Sequence, residues 1–201
     1  DINNRWIRVH YIVAERDDAG LPLHLIIAFE SIDEDKKQQE NLRRLSETDL
    51  MTGIRNRGSG ESEIKHQMSD GVPGMFCLLD ADKFKSVNDN YGHGVGDKVI
   101  QAIADSMKHT FRDSDIVFRL GGDEFVVIIA NVDSSMRDQV KRKIDQANVM
   151  LQKPKDDLPP TSLSVGAAFG DRENPEGDIF KDADTALYRV KEAGRCGCYI
   201  Y

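Results

Sequence analysis

Three things are scarce in this chain of 201 residues. The first is a long apolar run: none approaches the roughly 20 residues that a bilayer-spanning helix needs, and no signal peptide opens the sequence. This predicts a stretch with no direct membrane contact and a cytoplasmic setting. The chain opens on Asp1, so it is expected to be a piece of a longer protein that could be tethered to a membrane upstream. The second scarcity is positive charge. Lys and Arg number 27 against 35 Asp and Glu, a net charge of −8. So acidic a surface argues against nucleic acid as a partner, and an anionic ligand requires a local cluster of cations. The third is cysteine. Cys77 falls in an apolar strand and reads as a core residue, and Cys196-Gly-Cys198 has no second ligand pair, so no zinc site is expected. What remains is 39% hydrophobic and 31% charged, the composition of a globular domain with a short appendage.

The chain is organised around residues 118–129, Phe-Arg-Leu-Gly-Gly-Asp-Glu-Phe-Val-Val-Ile-Ile. Two β-branched stretches, 116–120 and 125–129, flank Gly121-Gly122, and glycine tolerates the positive φ of a tight hairpin turn. Strands this apolar are expected to be buried on both faces. Adjacent acids, Asp123 and Glu124, at the end of such a strand are costly unless a positive charge sits there. The bland reading is a solvated acidic turn. The sharper one is a divalent-cation site facing a nucleotide phosphate.

Residues 1–30 hold two strand-like runs, 6–13 and 23–29, joined by a turn at 16–20. A lone hairpin is marginal, so the pair is expected to complete a larger sheet whose other strands lie outside this sequence. Ser31 and Glu34 have capping-box spacing and open a polar helix to about residue 47, whose apolar positions Ile32, Leu42 and Leu45 are too sparse for a core helix. It reads as a connector (31–48) or a coiled-coil helix. A domain boundary follows at 49–57, then a short helix near 61–68 and a buried strand at 75–79. Val99, Ile103, Met107 and Phe111 recur at spacings of four, as a helix ending near Arg112 requires. A second amphipathic helix covers 136–151; Pro154 and Pro159-Pro160 break the chain; 162–169 is a strand, Phe180 to Val190 carry a last helix that Gly194 would end, and 198–201 a final strand.

Asp80 directly follows the buried 75–79 strand, where it can meet the acids of the neighbouring hairpin tip. Carboxylates converging from different strands are how phosphoryl-transfer sites hold divalent ions. Behind Asp80 the chain turns into a helix, whose free N–H groups at Phe84 and Lys85 suit phosphate oxygens. Asn88 and Asp97 flank the Gly-rich 91–96 segment. An amide and a carboxylate together match the Watson–Crick edge of guanine better than that of adenine. Asp82 and Asp89 read as capping or solvated acids; His93 is a tempting base, although the family pattern named next makes it a loop-packing residue.

With these residues in place, the sequence resembles the GGDEF-domain diguanylate cyclases. Residues 121–125 spell the signature. Asp80-x-Asp82-x-Phe84-Lys85-x-x-Asn88-Asp89-x-x-Gly92-His93-x-x-Gly96-Asp97 follows a second motif, Asp49-x-x-Thr52-Gly53-x-x-Asn56-Arg57 an opening one, and Ala183-Asp184-x-Ala186-Leu187-Tyr188-x-x-Lys191-x-x-Gly194-Arg195 a closing one. Two departures are visible: Gly58-Ser59-Gly60 loosens a helix start, and Cys196 stands where Asn commonly follows Gly-Arg. Residues 1–30 with the connector resemble the tail of a PAS sensor feeding a signalling helix.

The resemblance implies an α+β, palm-like domain over 49–201, with a central, mostly antiparallel sheet wrapped by helices. It implies condensation of two GTP into cyclic di-GMP and pyrophosphate. Asp80, the Ala81 carbonyl, Asp123 and Glu124 would hold two Mg²⁺ or Mn²⁺ ions, with Asp123 or Glu124 as the base. Asn88 and Asp97 would read guanine. Backbone N–H of Phe84 and Lys85, with Lys191 and Arg195 on one face of the last helix, would bind the triphosphate. Each domain holds one GTP, so a homodimer is the expected active unit. Arg112-x-x-Asp115 lies at the family's spacing for an inhibitory site that takes cyclic di-GMP. The other class of reading is a GGDEF-like receptor for GTP or cyclic di-GMP without chemistry; retention of Asp80, Asp123 and Glu124 speaks for the enzyme. A mixed-dinucleotide product is disfavoured by a carboxylate at Asp97.

Overall fold

Two strands that are apolar for most of their length belong inside a sheet, and β3 (Gly74–Ala81) and β5 (Glu124–Ala130), whose acids Asp80 and Glu124 fall at one end, lie there. The structure, a computed structural model describing residues 5–69, 74–153 and 158–201, divides into two units, Asp1–Ser46 and Glu47–Tyr201. In the larger unit five strands run in the order β4-β5-β3-β6-β7, with β4 Ile116–Gly121, β6 Leu163–Phe169 and β7 Gly197–Ile200. All neighbours are antiparallel except β6 and β7. This is the expected α+β architecture.

Alternation of side chains sends each strand's residues to two cores. On one face Met75, Cys77 and Leu79 of β3 join Val127 and Val165 under α4 (His93–Thr110) and α5 (Arg137–Gln152). Val99, Ile103 and Met107 of α4 and Val140, Ile144 and Leu151 of α5 supply the helical side of that core. On the other face Phe76, Leu78, Val126 and Phe118 meet Ala183 and Leu187 of α6 (Ile179–Glu192), with Ile64 of α2 (Arg57–Ser69) against them. Each fully buried Leu, Phe or Met contributes roughly 1.5–3 kcal/mol, so these two layers set the fold. Two glycines allow the helices to come this close. A Cβ on Gly60 of α2 would lie 2.3 Å from the Phe118 ring, and one on Gly166 of β6 would lie 2.1 Å from the Ala183 carbonyl oxygen and the Leu187 nitrogen of α6. Gly60 therefore seats α2, which begins at Arg57, earlier than the expected 61; it does not loosen the helix.

The Gly-rich stretch at 91–96 is not a loop. Helix α3 (Phe84–Tyr91) runs through Tyr91, α4 starts at His93, and Gly92 alone, at φ 83°, makes the elbow. His93 is an exposed first-turn residue rather than loop packing. The last helix also ends early. It stops at Glu192, and Gly194 (φ 111°) and Arg195 (φ 69°) are left-handed, so Lys191 and Arg195 do not share a helical face. The expected break at Pro154 lies outside the described residues.

In the smaller unit β1 (Ile7–Arg16) and β2 (Pro22–Ser31) form a hairpin followed by α1 (Asp33–Glu47). Ser31 closes β2 and gives its hydroxyl to Asp33 at 3.1 Å, while Asp33 accepts the Trp6 amide at 2.6 Å. Asp33 is thus the carboxylate that satisfies this junction, in place of the expected Ser31–Glu34 box. Helix α1 has no buried residue. Among the described residues no helix is long and apolar enough to cross a membrane.

Candidate active site

The signature turn is locked to the neighbouring strand. Asp80 at the end of β3 pairs with Glu124 at the start of β5, and the Ala81 amide donates to the Asp123 carbonyl at 3.1 Å. The turn itself uses glycine where it needs it: Gly122 is left-handed at φ 55°. Asp80, Ala81, Asp123 and Glu124 thus collect at one end of two central strands. Asp123 is half-buried, and burial pushes its carboxyl above the usual 3.8; the charge of Asp80 adds to this, while Lys191 and Arg119 oppose it. Lys191, on the last turn of α6, places its ammonium 2.8 Å from Asp80.

These donors are hard oxygens, the kind that suits Mg²⁺ or Mn²⁺, and the raised Asp123 carboxyl marks a spot where added positive charge is favourable. Among the described residues no three His, Cys, Asp or Glu side chains are already drawn together as a metal cage. Asp80 and Asp123 feel each other, and Lys191 answers the first of them.

A residue to which the sequence reading gave no role, Arg119, fixes the turn from the other side. Its Nε and Nη2 donate to the Gly122 carbonyl at 3.1 and 2.8 Å, and its Nη1 reaches both oxygens of Asp49 at 3.3 Å. Asp49 in turn accepts the Thr52 amide at 3.0 Å and its hydroxyl at 2.7 Å. Burial alone would raise the Asp49 carboxyl, but Thr52 and Arg119 outweigh it and hold it below 3.8. The opening motif and the signature are therefore parts of one bonded unit. Asp49 stood in the opening motif and Arg119 in the quoted 118–129 run; only their contact was invisible.

Around the elbow, Asn88 sits on α3 and Asp97 on α4 just past its first turn. A Cβ on Gly96 would come within 2.0 Å of the Asn88 amide oxygen, so Gly96 makes the space that Asn88 occupies. Asp97 is exposed. No side chain caps α3, which leaves the first-turn amides of Phe84 and Lys85 without a side-chain acceptor. Asp82 is not a solvated acid. It is buried and accepts from Ser162 Oγ at 2.6 Å, Ser164 Oγ at 2.5 Å and the Cys196 amide at 3.0 Å, tying β3 to β6 and to the approach to β7. Arg195 lies beyond α6 with its amide on the Val190 carbonyl at 2.9 Å. Arg112 follows the end of α4 and is exposed, beside a hollow of about 350 Å³ that Arg55, Lys108 and Phe111 also line. Asp115 turns inward: its carboxylate accepts the Arg112 amide at 2.9 Å and faces Lys143 at 3.6 Å.

The family model "Diguanylate cyclase, GGDEF domain" matches residues 46–196. Diguanylate cyclase DosC of Escherichia coli K12 is 28% identical over 97% of this chain and 42% of its own length. Diguanylate cyclase DgcM of the same strain is 32% identical over 82% of the chain and 40% of its own. The chain thus spans about two fifths of the curated relatives it matches. Among solved structures, the coiled coil and GGDEF domain of Caulobacter crescentus DgcB, in complex with c-di-GMP, superposes with a TM-score of 0.73 at 25% identity, covering 85% of this chain and 93% of that one. Pseudomonas aeruginosa SiaD, in complex with its activator SiaC, gives 0.66 at 27% identity, over 84% and 69%.

Proposed function

The chain belongs to the GGDEF-domain diguanylate cyclase family, and we propose that it condenses two GTP into cyclic di-GMP, releasing two pyrophosphates. The observation that carries this reading is the strand register that sets Asp80 beside Glu124 and bonds Ala81 to Asp123.

In this reading Asn88 and Asp97 hold the guanine edge. The Phe84 and Lys85 amides, Lys191 and Arg195 hold the triphosphate, which Lys191 serves as well as Asp80. Asp80, the Ala81 carbonyl, Asp123 and Glu124 would hold two Mg²⁺ or Mn²⁺ ions. When bound, the ions lower the pKa of the attacking 3′-hydroxyl and neutralise charge on the leaving group. The 3′-hydroxyl proton passes to Asp123 or Glu124. The clamp of Arg119 on Gly122 keeps those acids in register. Each copy of the 49–201 domain binds one GTP, so two copies act face to face, and Arg112 would take the product and slow the reaction.

The test is incubation with GTP and Mg²⁺ at several protein concentrations, with product identified by mass spectrometry. Cyclic di-GMP whose specific rate rises with protein concentration is expected, and Asp123→Ala should make none. Arg112→Ala should keep its rate as product accumulates. GTP binding without product at any concentration would overturn the enzyme reading.

A further inference from the structure

Two backbone turns carry groups assigned above to the triphosphate, and both are left-handed at residues other than glycine. Lys83, at φ 56°, precedes the Phe84 and Lys85 amides of α3, while Arg195 and Cys196, at φ 69° and 51°, follow α6. These are three of the four described non-glycine residues with positive φ. Such conformations are costly and persist only where the surroundings impose them.

Asp82 joins the two turns. It precedes Lys83 in the chain, and its Oδ2 accepts the Cys196 amide at 3.0 Å, a contact between residues 114 apart. The same oxygen takes Ser162 Oγ at 2.6 Å, and Oδ1 takes Ser164 Oγ at 2.5 Å. The Asp82 amide donates to the Ser162 carbonyl at 2.8 Å. The serines are braced from behind, because the buried Asn148 side chain of α5 accepts the Leu163 amide at 2.7 Å and donates to its carbonyl at 3.0 Å. A buried carboxylate is costly unless donors satisfy it, and three donors make this one a fixed point.

We propose that Asp82 is a positioning residue for the reaction, acting through Arg195 and through the amides that open α3. It sets the distance between the two turns, so that both reach the phosphates of one GTP. This role rests on the reading that gives those groups to the triphosphate, and it names the residue that holds them in place. The Arg195 guanidinium is on a flexible stem, so a fixed backbone beneath it lowers the ordering cost of binding. An acid that only stabilised the fold would, on removal, weaken every ligand alike by shrinking the folded fraction. A positioning acid weakens the ligand that needs both turns.

The experiment is calorimetric titration of the full chain with GTP and with GMP, without divalent cations so that no turnover intervenes. GMP has a single phosphate, which does not need both turns. Asp82→Ala should weaken GTP about tenfold, the size of one charge-assisted contact, and GMP by less than about twofold. Arg195→Ala should weaken GTP about tenfold in the parent but less than about threefold in Asp82→Ala, where that arm is already misplaced. Asp82→Asn keeps an oxygen for the Cys196 amide and should recover most of the affinity. Where Asp82→Ala does not fold, Ser162→Ala and Ser164→Ala loosen the same carboxylate and should again weaken GTP more than GMP. Equal losses for GTP and GMP, an unchanged GTP affinity, or fully additive losses in the double variant would overturn the role of Asp82. Product formation with GTP and Mg²⁺ is read separately. A parent that makes cyclic di-GMP yet shows additive losses sinks the role of Asp82 alone. One that binds GTP and makes no product sinks the enzyme reading alone, and one that binds no GTP overturns both.

Discussion

Asp123 and Asp82 are both acids in quoted motifs, and their surroundings give them opposite tasks. Burial first, and then the charge of Asp80, raise the Asp123 carboxyl above 3.8, so the native state holds that proton more tightly than the unfolded chain does. The stability this contributes is fully present below pH 3.8 and is lost as pH rises through the native value, leaving an ionised cost at neutral pH. Asp123→Asn should therefore melt higher than the parent at pH 7. The difference should close as the pH is brought below 3.8, which a series of thermal melts would read. Asp82 is instead a positioning acid with three donors and almost no exposure. Asp82→Ala strands those donors and should cost about 3 kcal/mol in urea unfolding. The Asp-x-Asp spacing was legible in the sequence. Which of the two acids faces inward was not, because that depends on the serines at 162 and 164, some 80 residues on.

At the scale of elements, the strands and long helices were legible because their periodicity is strong: β3, β4, β5 and β6 read as apolar runs, and α4 and α5 as stripes at spacings of four. The errors fall at glycines. Gly94 and Gly96 look like loop residues, yet they lie inside α4, where Gly96 admits Asn88. The spacing of Lys191 and Arg195 suggests a continuing helix, yet Gly194 releases the chain before Arg195. Gly166, mid-strand, was not singled out, although a glycine inside a strand commonly marks a close backbone approach. Here the approach is α6 itself, with backbone atoms 2.1 Å from where a Cβ would stand. No rotamer change relieves a clash with backbone, so Gly166→Ala must push α6 off the sheet. It should cost about 2 kcal/mol and carry Lys191 away from Asp80. A lower urea midpoint together with weaker GTP binding is expected. A midpoint shift with GTP affinity intact would show that Lys191 does not depend on the seat of α6.

At the scale of the whole chain, the two units differ in what holds them. Residues 47–201 cover both faces of their sheet. Among the described residues of the smaller unit none is buried. Its register puts Ile7, Val9, Tyr11, Val13, Leu25, Ile27 and Phe29 on one face of the hairpin. The other face carries Arg8 and Glu30 at 3.2 Å, with His10 3.5 Å from the same carboxylate. The alternation was readable in the sequence; what covers the apolar face was not, because that lies in no residue of the hairpin. An apolar face this continuous favours association, and α1 adds exposed Leu42 and Leu45. A chain of residues 47–201 should therefore unfold cooperatively with a denaturant midpoint close to that of the full chain, since the core stays whole. In sedimentation velocity it should self-associate less. If catalysis needs two copies, its specific rate should also fall most at low protein concentration and recover as concentration rises. A shortened chain that unfolds at much lower denaturant would mean that the first 46 residues stabilise the domain. One that keeps the full rate when dilute would place the contact between copies within residues 47–201.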